Sequence, residues 1–534
     1  MTFLNKIQNR HIEIFLKLCI IFGIILHIVP YFYNRCLWLD EARLASSICT
    51  RSLSELVASP LDWGQSAPVG YLFVVKLITM VWGTSEATLR IFSLFSAFVC
   101  MYLIYALLKK KVAPKFALWT VAIFSLTNGY VYYGNEVKPY MSDNMFCLLV
   151  LYIWQRYREN KIELYQVCLI YAVIVWFSFS AVFFMGACML IECVHQVRSH
   201  KNVKKLLING ALCLLVLVSL ILNYVFWLSS TSSNAGEAGY WDLLRFPIVP
   251  TSLADIKLIV QMFFEFWAFY PKLMALFFFS GTILYLVVCI KKKEDRSKIF
   301  IPYIISVVLL LIASSIGFYP IRNRLLQAYP IVALIVIAIT CNDISEYRTC
   351  RKINIAFLLQ LLLCFSLFYV GFLGYPKLLA NGVYFRGMEM TASTDYLKKN
   401  LTKDDAVYVP SLAIPVYSYK TDYRISFKDL KKPNSNMKDD ALLDLPRQIE
   451  NVIYGQDHSV PKYRIPYVYE SDVKESAIKQ DVDIILKYES VYLIRYMLST
   501  NFMKMVEVLR QHGTVEIVVD SYDTQLYHFV RSHS

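Results

Sequence analysis

Charged residues are scarce in this sequence. Asp, Glu, Lys and Arg make up 18% of its 534 residues, whereas 57% are hydrophobic and the mean hydropathy is +0.46. Soluble domains usually contain about 25% charged and about 45–50% apolar residues. The shortage of charge therefore excludes a soluble enzyme and a disordered chain. It leaves a membrane protein, because the apolar runs reach about 20 residues, which is the length that spans a bilayer.

Cysteine and histidine are missing where a zinc site or a disulfide framework would need them. All thirteen cysteines precede Phe365, and the sequence contains no CxxC pair and no Cys/His ligand spacing. No histidine lies in a predicted outer loop before the tail, so we expect no structural or His-ligated zinc. Only Cys36 and Cys49 lie in a polar segment predicted outside the cytoplasm, where they could form a disulfide.

The apolar runs stop near Pro376, which divides the chain into a membrane part, 1–375, and a tail, 376–534. The tail carries 21 basic and 21 acidic residues, so the net charge of +14 belongs to the membrane part. There the basic excess lies in short loops between apolar runs, where it sets orientation in the membrane. We therefore expect the bilayer, and not a nucleic acid, as the partner of these bases.

Basic clusters between the apolar runs predict the topology. They begin at Lys109, Arg156, Arg198, Lys291 and Arg348, and the positive-inside rule places all of them in the cytoplasm. With the N-terminus also inside, this arrangement requires about eleven transmembrane helices. The segments left outside are Asn34–Ser85, Tyr133–Tyr140, Ser229–Lys272, Tyr319–Arg324 and the whole tail.

Three of the apolar runs need separate treatment. The run Pro68–Trp82 is too short for a full span, so we expect a helix at the outer membrane interface. The run Leu164–Cys193 begins and ends inside, so it must form two short helices that meet near Phe177–Ser180. The first run, His11–Tyr31, is too long for a signal peptide and is read as a retained helix.

The tail has the pattern of a small α/β domain. Strands are predicted near Val407–Val409 and Val491–Tyr496, a helix over Phe502–Gln511, and two further strands at Glu516–Val519 and Leu526–Val530. The tail contains no GxSxG, HExxH or phosphate-loop signature. We therefore expect an extracytoplasmic domain that is dispensable for the chemical step and that influences the choice of acceptor.

Ionisable residues cluster beside the predicted outer helix ends. Arg35, Asp40, Glu41 and Arg43 fall within nine residues, and further pairs occur in the segments 132–140 and 319–324. Burying an ionisable group close to a bilayer costs free energy, so such a group is first suspected of a function. The simpler alternative is that these residues only form ion pairs with one another. A carboxylate can take a proton from a hydroxyl, and arginines can hold a phosphate. Because nucleotides are absent outside the cytoplasm, such a phosphate would belong to a lipid carrier.

Five short stretches, in order along the chain, resemble motifs of the GT-C glycosyltransferases. This superfamily includes protein O-mannosyltransferases and the aminoarabinose transferases of lipid A, families 39 and 83. The similar stretches are Leu39–Arg43 (the Asp-Glu signature), Gln65–Tyr71 ("PPLxY"), Gly83–Arg90 ("FGxSExxxR"), Asn135–Tyr140 ("QEARxY") and Arg322–Pro330 ("RYxxPxxP"). The chain departs from these patterns at Ser66, Ala67 and Asn323, which affects the expected donor sugar and phosphate contacts.

The resemblance implies an inverting transfer of a sugar from a polyprenyl-phosphate donor to an extracytoplasmic protein, lipid or envelope glycan. It implies Asp40 as the general base, with Glu41 and Glu136 as further catalytic acids. Donor phosphate would be held by Arg43, Lys138, Arg322 and Arg324. Substrates would be positioned by Gln65, Tyr71, Arg90 and Tyr140. Some relatives bind a divalent cation near these acids and others do not. The expected location is the inner membrane of a bacterium.

Two other classes of membrane protein remain as alternatives. A transporter or flippase for lipid-linked glycans would need polar residues at mid-helix depth, whereas here they concentrate at the outer ends. A membrane acyltransferase usually relies on an intramembrane histidine. His11, His27, His195 and His200 all lie near helix ends and lack acidic partners at helical spacing.

The topology is testable with a reporter enzyme fused after Ser534. We expect activity only with a reporter that works outside the cytoplasm, because the basic clusters require an odd number of crossings. The same reporter fused within the Lys109–Lys111 loop should be inactive, because that loop is predicted to be cytoplasmic. Cytoplasmic activity of the C-terminal fusion would contradict the topology and remove the reason for a lipid-linked donor.

Overall fold

The protein is described by a computed structural model, which is mostly helical. The described residues are 2–32, 35–58, 61–199, 203–228, 245–268, 270, 272–292, 298–346, 366, 389–402, 404–410, 412–421, 451–454, 461–465, 475–496, 500–521 and 523–532. The last apolar run of the membrane part, Ile353–Gly374, lies outside these residues except for Ser366, and the predicted boundary near Pro376 lies outside them as well.

The membrane part consists of helices that run back and forth and share one apolar core. Its first eight helices are α1 (Thr2–Phe32), α2 (Leu39–Thr50), α3 (Leu53–Ala58), α4 (Val69–Trp82), α5 (Glu86–Leu108), α6 (Pro114–Leu126), α7 (Asn128–Tyr133) and α8 (Tyr140–Arg158). They are followed by α9 (Leu164–Ile174), α10 (Ala181–Ser199), α11 (Val203–Asn223), α12 (Leu253–Phe266), α13 (Lys272–Lys292), α14 (Phe300–Ser315) and α15 (Ala328–Glu346).

The helix boundaries follow local sequence signals. Ser85 caps α5 by accepting a hydrogen bond from the Thr88 N–H at 3.2 Å, and Pro114 occupies the first position of α6, where its missing N–H costs nothing. The run Leu164–Cys193 is divided between α9 and α10, with the break at Val175–Ser180. The predicted pair of short helices is therefore confirmed. The run Phe116–Tyr133, predicted as one crossing, is instead interrupted at Thr127.

Four described helical stretches are long and apolar enough to cross a membrane. They are Arg10–Phe32, Glu86–Leu108, Ala181–Arg198 and Leu207–Trp227, and six shorter apolar helices accompany them. Helix α4 has 14 residues, or about 21 Å at about 1.5 Å per residue, against a hydrocarbon core of about 30 Å. Its length fits the predicted interfacial helix. The total of about eleven crossings stays a prediction.

Helix α12 is one of several helices that were not predicted from the sequence. Helix α12 lies within the segment Ser229–Lys272, which had been expected only to be outside. Ser252 caps it by accepting from the Asp255 N–H at 3.2 Å, and the Asp255 carboxylate accepts from the Ser252 N–H at 2.9 Å in return. The helix ends close to the turn at Asn323–Leu325, so it contributes to the outer end of the bundle.

The tail forms the predicted α/β domain around one six-stranded sheet. Its elements are α16 (Thr391–Asn400), β1 (Asp405–Val409), α17 (Ile414–Lys420), β2 (Asn451–Tyr454), β3 (Pro461–Ile465), α18 (Glu475–Ile485), β4 (Ser490–Tyr496), α19 (Thr500–Leu509), β5 (Gly513–Ser521) and β6 (Thr524–Arg531). The strand order is β3-β2-β1-β4-β6-β5; β1 and β4 are parallel and the other pairs antiparallel. The four strands and the helix predicted from the sequence are all present.

The tail packs onto the outer end of the membrane part through α17, which lies against α2. The Tyr419 hydroxyl donates to the Thr84 carbonyl oxygen at 2.8 Å, and Lys420 forms an ion pair with Glu86. These contacts hold the domain beside the predicted site. Cys36 and Cys49, whose pairing the sequence left open, form no disulfide with each other in this structure.

Candidate active site

The site is organised by the buried carboxylate of Glu41. Arg35 donates to its Oε2 at 2.7 Å, and Arg90 grips both oxygens, with Nε to Oε1 at 3.1 Å and Nη2 to Oε2 at 3.0 Å. The backbone N–H groups of Trp38 and Val137 donate at 3.1 and 2.9 Å. Burial by itself would raise the pKa of Glu41, but Arg35 and Arg90 lower it below the ordinary range, so the group is ionised.

This carboxylate joins segments that are distant in sequence. Glu41 is the third residue of α2 and accepts from the N-cap residue Trp38, which is the capping-box arrangement. Arg90 belongs to the second turn of α5 and also donates to the Arg35 carbonyl oxygen at 2.8 Å. Arg35 donates in turn to the carbonyl oxygen of Asn135 at 3.1 Å. The outer ends of α2, α5 and α8 are therefore fixed to one another.

Asp40 lies beside this cluster but is directed elsewhere. Its Oδ2 accepts from Arg324 at 3.1 Å across 284 positions of sequence, and its Oδ1 lies 3.9 Å from the Arg43 guanidinium. One fifth of the side chain remains exposed. Burial would raise the pKa of Asp40, but Lys138, Arg324 and Arg43 together lower it below its ordinary value. Asp40 is thus an ionised and accessible carboxylate among cations.

Glu136 is the third acid of the site and has a different environment. Its Oε1 accepts from the Trp38 indole N–H at 2.8 Å, while its Oε2 is buried and has no hydrogen-bond partner among the described residues. Burial, together with the nearby negative charge of Glu41, raises the pKa of Glu136. Glu41 is therefore held ionised, whereas the environment of Glu136 favours the protonated form.

Of the remaining predicted phosphate ligands, Lys138 and Arg324 act on Asp40, whereas Arg322 pairs with Glu265. Lys138 is buried and donates to the Gln65 side-chain oxygen. Arg322 lies 3.5 Å from Glu265, and the Arg324 guanidinium lies 5.9 Å from the Tyr140 ring centroid. The structure therefore gathers most of the predicted residues at one end of the bundle: Asp40, Arg43, Gln65, Glu136, Lys138, Tyr140, Arg322 and Arg324.

Three predicted residues are placed differently. Glu41 has no exposed surface, so it cannot touch an acceptor in this arrangement. Arg90 is about 1% exposed and directs its donors to Glu41 and to backbone carbonyls. Tyr71 is fully buried in α4 with its ring 5.7 Å from that of Phe92. All three lie behind Asp40 and Arg324, which keep 20% and 25% of their side chains exposed. Glu41 and Arg90 can be enclosed in this way because their opposite charges compensate each other.

Glu265 was missed by the sequence interpretation. Its carboxylate accepts from the Asn323 N–H at 2.9 Å and pairs with Arg322, so it holds the turn that presents Arg324. The available signal was its position as a lone acid in the apolar stretch Phe263–Trp267. An isolated charge in such surroundings is itself a reason to suspect a functional contact.

No metal centre is evident in the part of the chain that the structure describes. There, no three His, Cys, Asp or Glu side chains are grouped so as to hold an ion. The divalent cation that the resemblance allows stays a prediction. Its ligands would be the carboxylates of Asp40 and Glu136, which here accept hydrogen bonds from Arg324 and Trp38.

Comparisons with known proteins agree with this architecture. Residues 66–224 match the family model described as dolichyl-phosphate-mannose-protein mannosyltransferase. The fold is similar to that of ArnT from Cupriavidus metallidurans in the apo state, at 10% identity and TM-score 0.52, over 96% of this chain and 97% of that one. ArnT bound to undecaprenyl phosphate gives 9% identity and TM-score 0.51, over 96% and 98% of the two chains.

A third structure is more distant. The oligosaccharyltransferase of Archaeoglobus fulgidus shows 10% identity and a TM-score of 0.48, over 95% of this chain and 72% of that one. No curated protein matches the chain by sequence. The chain therefore has a GT-C type fold like that of the ArnT structures, a bundle of apolar helices with a small sheet domain at its C-terminal side. Within this fold, residues 66–224 match the mannosyltransferase family model.

The distinct roles of the two adjacent acids are testable by thermal unfolding in detergent. Glu41→Gln should lower the melting temperature strongly, since it leaves Arg35 and Arg90 buried without their counter-charge. Breaking a buried pair in this way costs about 3–5 kcal/mol. Asp40→Asn removes only a partly exposed pair and should cost about 1 kcal/mol or less. Equal melting temperatures for the two variants would contradict the organising role of Glu41.

Proposed function

We propose that the protein transfers a sugar from a polyprenyl-phosphate carrier to an acceptor outside the cytoplasm, with Asp40 as the general base. The observation that carries this proposal is the position of Asp40. It is ionised, partly exposed and in contact with Arg324, at an end of the helix bundle where cations and acids from distant segments meet. This combination suits a reaction that needs both a base and a binding site for a phosphate.

The cations around Asp40 would bind the donor. Arg324, Arg43 and Lys138 carry three positive charges, and arginine binds phosphate oxygens through paired hydrogen bonds. The ArnT structure that holds undecaprenyl phosphate supports a polyprenyl carrier as the ligand here. In this structure Arg324 pairs with Asp40. A bound phosphate would also accept hydrogen bonds from Arg324 and would thereby leave Asp40 available to the acceptor.

The reaction follows from this arrangement. Asp40 takes the proton of the acceptor hydroxyl as its oxygen attacks the anomeric carbon from the face opposite the phosphate. The new carbon–oxygen bond forms while the bond to the phosphate oxygen breaks, and its electron pair leaves on the polyprenyl phosphate. The arginines stabilise the negative charge that develops there. One displacement of this kind inverts the anomeric configuration.

The other site residues support this step from behind. Glu41, held by Arg35 and Arg90, fixes the start of α2 and thereby the direction of Asp40. Glu136 accepts from the Trp38 indole N–H and would thereby hold the residue that precedes α2. Gln65 and Tyr140 border Lys138 and Arg324 and would shape the sugar pocket. We place the enzyme in the inner membrane of a bacterium, with this site and the tail outside.

The function can be tested with the full-length chain in lipid nanodiscs and undecaprenyl-phosphate-linked sugars, by measuring release of undecaprenyl phosphate. Asp40→Asn keeps the shape of the side chain and removes the base, so turnover should fall by about 10²–10⁴. Binding of undecaprenyl phosphate should persist in this variant and weaken in Arg324→Ala. Wild-type turnover by Asp40→Asn would exclude Asp40 as the base.

The pH profile offers a second test. A base works when deprotonated, so kcat/KM falls as the pH drops through its pKa. Because Arg324 helps to lower the pKa of Asp40, the wild-type acid limb should lie below the ordinary titration range of an aspartate. Arg324→Gln should move that limb to higher pH. Lys298→Gln, a change at the other end of the bundle, serves as the control and should leave it in place.

A further inference from the structure

Two buried amide side chains link α8 to the turn that carries Arg324. Gln327 donates from its Nε2 to the Arg324 carbonyl oxygen at 3.1 Å. Its Oε1 accepts from the Nδ2 of Asn144 at 2.9 Å, across 183 positions of sequence. Both amide side chains are about 1% exposed. The backbone of the turn is therefore hydrogen-bonded, through Gln327, to the second turn of α8.

The orientation of these two amides follows from their chemistry. A carbonyl oxygen can only accept a hydrogen bond, so the group of Gln327 that faces Arg324 must be its NH2. The Gln327 oxygen then faces Asn144, which must present its own NH2. Packing alone would not require this arrangement, because a buried amide is costly unless it is hydrogen-bonded and an apolar side chain would fill the same space. The pair is suited to holding one carbonyl oxygen in one place.

The same face of α8 also meets the side chain of Arg324. Tyr140 and Asn144 are four residues apart, so they lie on one face of the helix. The Tyr140 ring centroid is 5.9 Å from the Arg324 guanidinium, which donates to the Asp40 Oδ2 at 3.1 Å. Helix α8 thus contacts the guanidinium through Tyr140 and holds the backbone of the same arginine through Asn144 and Gln327.

The two sides of the turn have different anchors. Glu265 of α12 accepts from the Asn323 N–H at 2.9 Å, just before Arg324, whereas Gln327 binds the carbonyl oxygen of Arg324 itself. A long arginine side chain keeps one position only when the groups that support it are themselves fixed by hydrogen bonds. Because Glu265 acts on the preceding residue, the direct hold on the Arg324 backbone comes from Gln327.

We propose that Gln327 and Asn144 are positioning residues that hold the Arg324 guanidinium where it can bind the donor phosphate and contact Asp40. They act through the backbone of Arg324, and because both are enclosed, neither touches the substrate. This inference rests on the proposed function and deepens it, since it extends the support of the phosphate site from the outer turn into α8.

The test uses the full chain in lipid nanodiscs, with undecaprenyl phosphate as the ligand and an undecaprenyl-phosphate-linked sugar as the donor. Gln327→Met keeps the length of the side chain and removes the amide. The dissociation constant for undecaprenyl phosphate should rise about threefold to tenfold, which is the scale of one lost hydrogen bond. The acid limb of kcat/KM should move to higher pH, in the same direction as in Arg324→Gln. Asn144→Leu should change both quantities in the same direction.

A double variant tests whether the two amides act in series. Since Asn144 reaches Arg324 through Gln327, Asn144→Leu should add nothing to the effect of Gln327→Met on the dissociation constant or on the acid limb. Effects that add in the double variant would overturn this linkage. Asn144→Leu lies on a different helix, so it carries the same test if Gln327→Met does not fold.

The matched control is Asn342→Leu, which removes another buried amide near the far end of α15. There the Asn342 Oδ1 accepts from the Ala113 N–H at 2.8 Å. Whatever its melting temperature, this variant should keep the wild-type dissociation constant and acid limb. The same pattern in Gln327→Met, a lower melting temperature with both quantities unchanged, would indicate a purely structural role and would overturn the proposal.

Failure of the proposed function would give a different result. In that case the wild-type chain itself would neither bind undecaprenyl phosphate nor release it from the donor. If the wild type does both, and a folded Gln327→Met protein binds undecaprenyl phosphate equally well with an unmoved acid limb, the function stands and the positioning role is excluded.

Discussion

The buried ion cluster of Glu41, Arg35 and Arg90 is the constraint on which the outer end of the molecule depends. A single carboxylate accepts from two guanidinium groups and two backbone N–H groups, which leaves it no free capacity. Such a cluster is stable only when all its members are present, because each alone would be an uncompensated charge out of water. It therefore fixes α2, α5 and the loop before α8 in one geometry.

Asp40 gains its properties from this neighbour. Because Glu41 is neutralised internally, the positive charges of Arg324, Arg43 and Lys138 act mainly on Asp40 and keep it ionised. The environment of Glu136 acts in the opposite direction, because burial and the nearby carboxylate of Glu41 raise its pKa and favour its neutral form. Three acids within one site thus have three different electrostatic states, as is common where acid and base chemistry are separated.

The turn that carries Arg324 and the tail add the remaining parts. Glu265 on α12 holds the turn, and α17 holds the tail domain over α2 through Tyr419 and Lys420. The turn and the tail domain are thereby both tied to the end of the bundle that carries Asp40.

The sequence by itself determined the class of fold. Apolar runs and β-branched segments are local signals, so they predicted the apolar helices, the divided run Leu164–Cys193 and the strands of the tail. The sidedness expected from the basic loop clusters stays a prediction, as do the roles that the motif resemblance implies for Asp40 and Arg324. Only the tertiary structure decided which of two adjacent acids is accessible, that Arg90 serves Glu41, and that Glu265 holds the turn of Arg324. These facts depend on contacts between residues far apart in the chain, and burial and pairing at such distances leave no periodic trace in a sequence.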